Sequence, residues 1–417
     1  MRIQQLVTFP LRGSGSGVYA DKLSQALSDK GHHVQVVCVD HYSPVKNYSV
    51  ETILFSNGAN QQFDVPFNFP CFTTHPASPT TTFGNLTAAQ KNIFAETLDA
   101  KIKAAVARFQ PDLIHVHHGW VMGSVVAETK FPYVVSLHGT EHYGFYTFPD
   151  YQPRALAAIR GARAIIALTE QDKSDAIKTY HLEPARVCVI PNGIETRFFR
   201  PMILNRHQIL KRYRIPDAQR DCPIVFFASK LAPHKGVDNL LRAASIYAAL
   251  PESPITLIAG DGDVRGAMEL MARGLNLDRV YFIGNQSPQE MLLLYNIAAV
   301  SVLPSSMDFF PLAALEALAC GTPVIASDVG GLKEIVTAGT GFLVKPGDVA
   351  GLAEKISAAI QTKLKETAKD RARSHILKHF SISEIVQRFE TVYDRVLAGS
   401  WKYRLAKFTA TNWTSPR

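Results

Sequence analysis

Several features that mark membrane, secreted or metal-binding proteins are missing from this sequence. It contains no uninterrupted apolar run of about 18 residues, the length that a membrane-spanning helix needs. It passes from Met1 directly into strand-like sequence, without an apolar segment and a cleavage site, so we expect a cytoplasmic protein. Its five cysteines are scattered and form no CxxC pair, which indicates reduced, structural thiols.

What is present is the composition of a globular protein with a large core. Hydrophobic residues make up 47% of the 417-residue chain and charged residues 19%, and this length favours two or more domains. The net charge of +8 permits contact with nucleic acid or an anionic membrane without requiring it. Residues 400–417 hold four cations and no acid: Lys402, Arg404, Lys407 and Arg417. We favour a solvated tail there over a peripheral membrane contact, and we expect no nucleic-acid partner.

The stretch from 304 to 324 carries the strongest functional pattern. An apolar run at 299–303 predicts a buried parallel strand, and Pro311 occupies the expected first position of the helix that follows. A helix N-terminus at the carboxyl edge of a parallel sheet is a prepared anion site. Asp308 lies in the loop before the helix, and Glu316 lies about a turn and a half into it, where a carboxylate suits ribose hydroxyls better than phosphate. The stretch therefore predicts a site for a nucleotide diphosphate.

Two further strand-to-helix turns lie in the second half of the chain. Lys230 and Lys235 follow an apolar strand predicted at 224–228, where two cations suit the charge that builds on a departing pyrophosphate. Residues 260–263 have the sequence Gly-Asp-Gly-Asp, which is also a pattern for a divalent metal. The glycines and the helix that follows favour a simple turn instead, and we expect no metal ion.

The first half opens with the βαβ pattern of a doubly wound sheet. Its parts are a strand at 2–9, a glycine-rich loop at 13–17, a helix at 18–30 and a strand at 34–39. One interpretation is the dinucleotide site of an NAD oxidoreductase, with Asp40 as the acid that binds ribose. However, the glycines follow GxGxG rather than GxGxxG, and residues 10–12 separate them from the strand.

Histidines are concentrated at two strand ends in the first half. The strand predicted at 133–137 delivers His138 to the carboxyl edge of the sheet, where loops carry chemistry in open α/β folds. A metal site is one interpretation of His115, His117 and His118. His115 and His117 share one face of their strand and His118 takes the other, and no matched cysteine or carboxylate spacing supports zinc. From its position alone, His138 fits an ordinary loop residue as well as a functional one.

One pattern in the second half is typical of a known family. The Asp308-x7-Glu316 spacing, followed by Ala-Leu-Ala-Cys-Gly-Thr-Pro-Val, resembles retaining glycosyltransferases of sequence family four, which have the GT-B fold. Further motifs that resemble this family are Leu-His-Gly-Thr-Glu at 137–141, Pro-Asn-Gly-Ile-Glu at 191–195 and the glycine pair at 330–331. The resemblance covers nearly the whole chain. It implies an α/β fold of two facing doubly wound, Rossmann-like domains.

The resemblance also implies roles for individual residues. Lys230 and Lys235 would stabilise the departing diphosphate, Glu316 would bind the ribose, and Asp308 and His138 would contact the donor sugar. The remaining positions implied at the nucleotide or its phosphates are Gly15, Ser16, Gly17, Gly284, Asn285, Phe310 and Leu312. Two positions depart from the family, because Asp308 is one methylene shorter than the usual Glu and Lys230 replaces a bidentate Arg with a point charge.

We therefore expect an acceptor-side domain at 1–195, a linker at 196–221 and a nucleotide-sugar-binding domain at 222–380. Residues 381–417 are expected to form a C-terminal helix, which could cross back to the first domain, and a basic tail.

The expected function is retaining transfer of a sugar from a nucleotide-sugar donor, with UDP favoured, to a hydroxyl of a small-molecule, lipid or glycan acceptor. Residues 41–90 are rich in proline and are expected to be irregular, and residues 71–83 within them are expected to contact the acceptor. The alternatives are a nucleotide-sugar epimerase of the same fold, an NAD oxidoreductase and a non-catalytic relative. The oligomeric state is not predicted.

Overall fold

The chain folds into two compact units. The computed structural model describes residues 1–59, 62–73, 75 and 79–399. The first unit comprises the described residues of Met1–Pro191 together with residues 385–399, and the second is Asn192–Glu384. Part of the predicted acceptor segment (residues 74 and 76–78) and the basic tail at 400–417 lie outside the described residues.

The first unit is built on a parallel seven-stranded sheet with the order β3-β2-β1-β6-β7-β8-β9. Its strands are β1 Arg2–Val7, β2 His33–Asp40, β3 Ser49–Leu54, β6 Leu113–His117, β7 Tyr133–Ser136, β8 Ala164–Ala167 and β9 Val187–Val189, and a separate short pair is formed by β4 Pro70–Cys71 and β5 Thr81–Thr82. The central strands are buried on both faces, as their continuous apolar runs predict. The strand order reverses between β1 and β6, and this switch point is where ligands bind in such sheets.

The helices of the first unit cover the faces of this sheet. They are α1 Gly15–Asp29, α2 Ala88–Phe109, α3 Val121–Ala127, α4 Thr140–Thr147, α5 Gln152–Gly161 and α6 Glu170–Tyr180. The α2 helix begins with a reciprocal capping box, in which the Thr87 side chain accepts from the backbone of Gln90 and the Gln90 side chain accepts from the backbone of Thr87.

The second unit repeats the same architecture with a parallel six-stranded sheet, in the order β12-β11-β10-β13-β14-β15. Its strands are β10 Ile224–Ala228, β11 Ile255–Ala259, β12 Val280–Gly284, β13 Val300–Leu303, β14 Val324–Ser327 and β15 Gly341–Val344. Its helices are α7 Arg206–Arg212, α8 Val237–Tyr247, α9 Arg265–Gly274, α10 Pro288–Ile297, α11 Leu312–Ala319, α12 Leu332–Ile335, α13 Val349–Gln361 and α14 Leu364–His379. The switch point of this sheet lies between β10 and β13. The prediction of two doubly wound α/β domains is confirmed.

The last helix in the described part of the chain is α15, Ile382–Leu397, and residues 385–399 group with the first unit. There the Tyr393 hydroxyl lies 2.7 Å from His115 Nδ1, and Glu390 lies 2.9 Å from His32 Nε2. Residues 196–221, treated above as a linker, fall within the second unit and contain α7. No helix in the described part of the chain has both the length and the apolar character to cross a membrane.

Three local expectations were wrong. The first helix begins at Gly15 rather than Val18, so Gly15, Ser16 and Gly17 form its first turn instead of a loop. The region from 41 to 90, expected to be irregular, contains the edge strand β3. Most of its side chains are only half-buried, so β3 lacks the apolar run that marked the central strands. Pro311 is the N-cap of α11 rather than its first residue, with ψ at 123°.

Candidate active site

Two predicted site residues meet at the switch point of the second sheet. Strands β10 and β13 are hydrogen-bonded neighbours, so the loops that leave their carboxyl ends lie side by side. Lys235 Nζ from the first loop lies 2.8 Å from Asp308 Oδ2 of the second. The Ser305 hydroxyl donates to the same oxygen over 3.3 Å. Both contacts are made to Oδ2, and no described residue hydrogen-bonds Asp308 Oδ1.

Glycine allows these loops to approach each other. Gly236, which directly follows Lys235, has φ at +70°, and a Cβ there would lie 2.0 Å from the carbonyl oxygen of Pro304. Gly330 has φ at +45°, and a Cβ there would lie 1.7 Å from the carbonyl oxygen of Asp308. Any larger residue would force these segments apart, so both glycines maintain the position of the Asp308 loop.

The N-terminus of α11 lies directly after the Asp308 loop. The first backbone N–H groups of a helix have no partner within it, and they favour an anion. The Phe310 side chain is buried with its ring 5.8 Å from that of Phe380, and its carbonyl accepts from Asn192 Nδ2 over 3.1 Å. Phe310 can therefore offer a ligand only its backbone N–H, whereas Leu312 is half-buried at the start of the helix.

Glu316 lies further along α11 and is only partly exposed. The hydroxyl of Tyr295 donates to its Oε2 over 3.0 Å. Burial raises the pKa of Glu316 to about 7, and the bond from Tyr295 opposes this rise because it favours the ionised form. Among the described residues, no hydrogen bond joins Glu316 to Lys235 or Asp308. Glu316 and the Lys235–Asp308 pair therefore form two adjacent parts of the site rather than one network.

Gly284 and Asn285 lie at the carboxyl end of β12, the outermost strand of the second sheet. The Gly284 carbonyl accepts from the backbone N–H of Gly260 over 2.8 Å, and Asn285 is exposed. Asp261, in the loop that raised the question of a metal, pairs with Arg265 over 3.2 Å. Across the described residues, no group of three or more His, Cys, Asp and Glu is placed to hold a metal ion.

In the first unit, the glycine-rich segment caps α1. The Ser14 side chain accepts from the backbone N–H of Gly17 over 3.2 Å. Gly15 is exposed, Ser16 is half-buried, and Gly17 is buried under the carbonyl of Pro10. These residues follow β1, so they stand at the switch point of the first sheet.

His138 lies at the end of β7 within a group of buried histidines. Its Nε2 is 3.1 Å from Nδ1 of His117, whose Nε2 is 2.6 Å from Oε1 of Gln5. The backbone N–H of His138 donates to Oε1 of Glu141 over 2.7 Å. Burial lowers the pKa of His138 to about 4, so its imidazole is neutral at physiological pH. His115 stacks on His117 with ring centroids 4.3 Å apart and extends the group towards Tyr393.

The acid required by the oxidoreductase alternative is already occupied. Asp40 Oδ1 lies 2.8 Å from Arg12 Nη2 and accepts from the backbone N–H of His41 over 2.7 Å. Asp40 Oδ2 accepts from Arg12 Nε over 3.2 Å. Asp40 is also buried, at 1% exposure, so a ribose could reach its carboxylate only if the pair with Arg12 opened.

Comparison with known proteins decides the family. The profile of the family described as Glycosyltransferase Family 4 matches residues 13–198, and that of Glycosyl transferases group 1 matches residues 212–375. D-inositol 3-phosphate glycosyltransferase 1 of Catenulispora acidiphila is 32% identical over 314 residues, which make up 69% of this chain and 73% of that protein. This chain belongs to the family-four glycosyltransferases. The enzyme class predicted from the sequence is confirmed.

Solved structures share the fold of this glycosyltransferase over almost its full length. Sucrose-phosphate synthase from Thermosynechococcus elongatus has a TM-score of 0.74 and 24% identity, and the match covers 96% of this chain and 100% of that one. Anabaena HepE, solved in complex with UDP, has a TM-score of 0.69 and 19% identity, and the match covers 94% and 100%. The predicted GT-B fold is thereby confirmed.

The structure also shows groups at the site that sequence patterns missed. Tyr295, Ser305 and His117 each contact a predicted site residue. Tyr295 occupies an apolar position of α10, 21 positions before Glu316, and it looks like an ordinary core residue. Ser305 directly precedes the predicted loop and could have been suggested by its position. The sequence suggests His117 only as a metal ligand, because its contact with His138 depends on strands β6 and β7 being neighbours.

Proposed function

We propose that this glycosyltransferase transfers a sugar from a UDP-linked donor to a hydroxyl of a small-molecule, lipid or glycan acceptor, with retention of the anomeric configuration and without a metal ion. The observation that chiefly supports the proposal is the Lys235–Asp308 pair, a cation and a carboxylate that lie together at the switch point, directly before the N-terminus of α11. That HepE, of the same fold, binds UDP supports the choice of nucleotide.

In this mechanism the protein supplies charge and position rather than proton transfer. Lys230, Lys235 and the first N–H groups of α11 stabilise the diphosphate as it leaves. The C1–O bond to the diphosphate breaks, a new C1–O bond forms to the acceptor hydroxyl on the same face of the sugar, and the hydroxyl proton leaves with the diphosphate. Asp308 accepts from a sugar hydroxyl through Oδ1, which no described residue occupies.

The other predicted residues bind and orient the donor. Glu316 accepts from the ribose hydroxyls, and the backbone at Gly284 and Asn285 lies beside the base. The neutral imidazole of His138 contacts the sugar. The first turn of α1, formed by Gly15, Ser16 and Gly17, borders the phosphates and the acceptor.

Binding of UDP and of uridine separates these roles. We expect a selective thermal shift with UDP over GDP, ADP and NAD that is unchanged by EDTA. Lys235→Met should weaken the binding of UDP without affecting the binding of uridine, which has no diphosphate. Glu316→Ala should weaken both ligands, by about 1.5–3 kcal/mol for each hydrogen bond lost to the charged group. A shift with NAD alone, or equal UDP affinity in wild type and both variants, would refute the proposed site. Product analysis with and without acceptor distinguishes transfer from epimerisation.

A further inference from the structure

The carboxylate proposed to bind ribose is held by a single buried phenol. Tyr295 is fully buried on α10, and its hydroxyl donates to Glu316 Oε2 over 3.0 Å. Among the described residues, Glu316 Oε1 accepts no hydrogen bond. The tyrosine therefore fixes one oxygen of the carboxylate and leaves the other available.

Tyr295 is itself held firmly in place. Its ring packs edge-on against Phe226, with centroids 5.2 Å apart. Its backbone carbonyl accepts from the hydroxyl of Thr322 over 2.6 Å. Lys365 Nζ donates to the carbonyls of Asn296 over 2.6 Å and Ala298 over 2.7 Å, at the end of α10. Since the backbone and the ring are both fixed, the hydroxyl has a fixed direction, and that direction is towards Glu316.

We infer that Tyr295 is a positioning residue for donor binding, which orients Glu316 so that Oε1 faces the ribose hydroxyls. The inference rests on the proposed function, because it assumes that Glu316 binds the donor. In this inference Tyr295 touches no substrate and acts only through the Glu316 carboxylate. A carboxylate free to rotate would lose entropy on binding the donor, and the bond from Tyr295 removes that cost before the donor arrives.

The same bond controls the charge of Glu316. The Tyr295 hydroxyl reaches the carboxylate from α10. The Cys320 thiol, at the C-cap of α11, interacts with the carboxylate electrostatically, and Lys365 and Arg373 of α14 interact with that thiol. Without the Tyr295 hydroxyl the ionised form loses a hydrogen bond, and the pKa of Glu316 rises further. The pH at which UDP binding reaches half of its maximum should therefore move upward.

The test is Tyr295→Phe, with Tyr247→Phe as a matched control. Tyr247 is also buried in the second unit, and its hydroxyl shares a 2.6 Å bond with Thr256, away from the proposed donor site. Phenylalanine keeps the ring contact with Phe226, so the Tyr295 variant is expected to fold. We expect Tyr295→Phe to weaken UDP binding about tenfold at pH 7 and to shift the pH midpoint upward, and we expect Tyr247→Phe to do neither.

Glu316→Gln separates this inference from the proposed function. If Glu316→Gln weakens UDP binding, and Tyr295→Phe adds nothing in a Glu316→Ala background that lacks the acceptor of its hydroxyl, the tyrosine acts through the carboxylate as inferred. If Glu316→Gln weakens binding but Tyr295→Phe changes neither affinity nor the pH midpoint, the proposed function stands and the inference is overturned. If Tyr295→Phe and Tyr247→Phe lower UDP affinity equally and neither shifts the pH midpoint, Tyr295 contributes only to general stability. That result would also overturn the inference. If Glu316→Gln has no effect on UDP, the donor pose itself is refuted.

Discussion

Lys235 Nζ lies 2.8 Å from Asp308 Oδ2 in an ion pair whose side chains are only 17% and 10% exposed. The two residues come from loops that are far apart in sequence but leave neighbouring strands of the second sheet. At this burial each charge depends on the other, because neither can be fully hydrated. The pair therefore connects stability with the proposed binding of the donor diphosphate.

The first prediction concerns the coupling within this pair. Asp308→Asn and Lys235→Met should each lower the free energy of unfolding by about 3 kcal/mol, since each leaves a shielded charge without its partner. The double variant should lose clearly less than the sum, as measured by urea denaturation in a double-mutant cycle. The Arg212–Glu290 pair, whose side chains are more exposed at 49% and 28%, is the control, with an expected coupling below about 1 kcal/mol. If the losses of unfolding free energy at Lys235 and Asp308 add up in the double variant, the interaction between the two side chains contributes nothing to stability.

The second prediction follows from the raised pKa of Glu316. Because burial raises this pKa to about 7 in the folded state, the stability that the neutral carboxyl contributes is present at pH 4 to 5 and is lost as the pH rises through 7. Glu316→Gln stays neutral and still accepts from Tyr295. Relative to wild type, it should gain about 1–3 kcal/mol of stability between pH 5 and pH 8.

Thermal or urea unfolding at several pH values measures this difference. Glu354→Gln, at an exposed position of α13, is the control and should show no such trend. A difference between Glu316→Gln and wild type that stays constant across this pH range would contradict the prediction.

The third prediction compares two glycines in the first turn of α1. A Cβ on Gly17 would lie 2.0 Å from the carbonyl oxygen of Pro10, whereas a Cβ on Gly15 meets nothing within 4 Å. Gly17→Ala should therefore destabilise the first unit by about 2 kcal/mol or more. Gly15→Ala should leave its stability unchanged or raise it by up to about 1 kcal/mol. Differential scanning calorimetry measures both variants, and equal melting temperatures would show that the turn next to Pro10 can relax.

The fourth prediction concerns a departure from the family pattern. Lys230 stands where the motif that the sequence resembles has Arg, whose planar fork can bind a phosphate with two hydrogen bonds. Lys230→Arg should therefore tighten UDP binding by roughly threefold to tenfold, and Lys230→Met should weaken it about tenfold. Isothermal titration with uridine is the control, because neither change should affect a ligand that lacks phosphates. If UDP and uridine respond alike, Lys230 does not contact the diphosphate.

Much of the site could be predicted from sequence because its elements are local. A strand, a loop with a cation or an acid, and a helix occur within some 15 to 25 consecutive residues, as they do around Lys235 and around Asp308 and Glu316. The errors arose where no local pattern exists. Gly15 is exposed and Gly17 buried in the same helical turn, and the segment offers both Ser14 and Ser16 as N-cap candidates without showing which of them begins the helix.

The sequence by itself determined the fold class, the family and the candidate residues, because apolar runs and strand-to-helix turns are encoded within short segments. Only the tertiary structure decided which of those residues meet. The Lys235–Asp308 pair follows from β10 and β13 being neighbours, the His117–His138 contact from β6 and β7, and the Tyr295–Glu316 bond from the packing of α10 against α11. These contacts depend on the order of the strands and the burial of side chains. Both are set by the free energy of the whole packed unit rather than by any single segment.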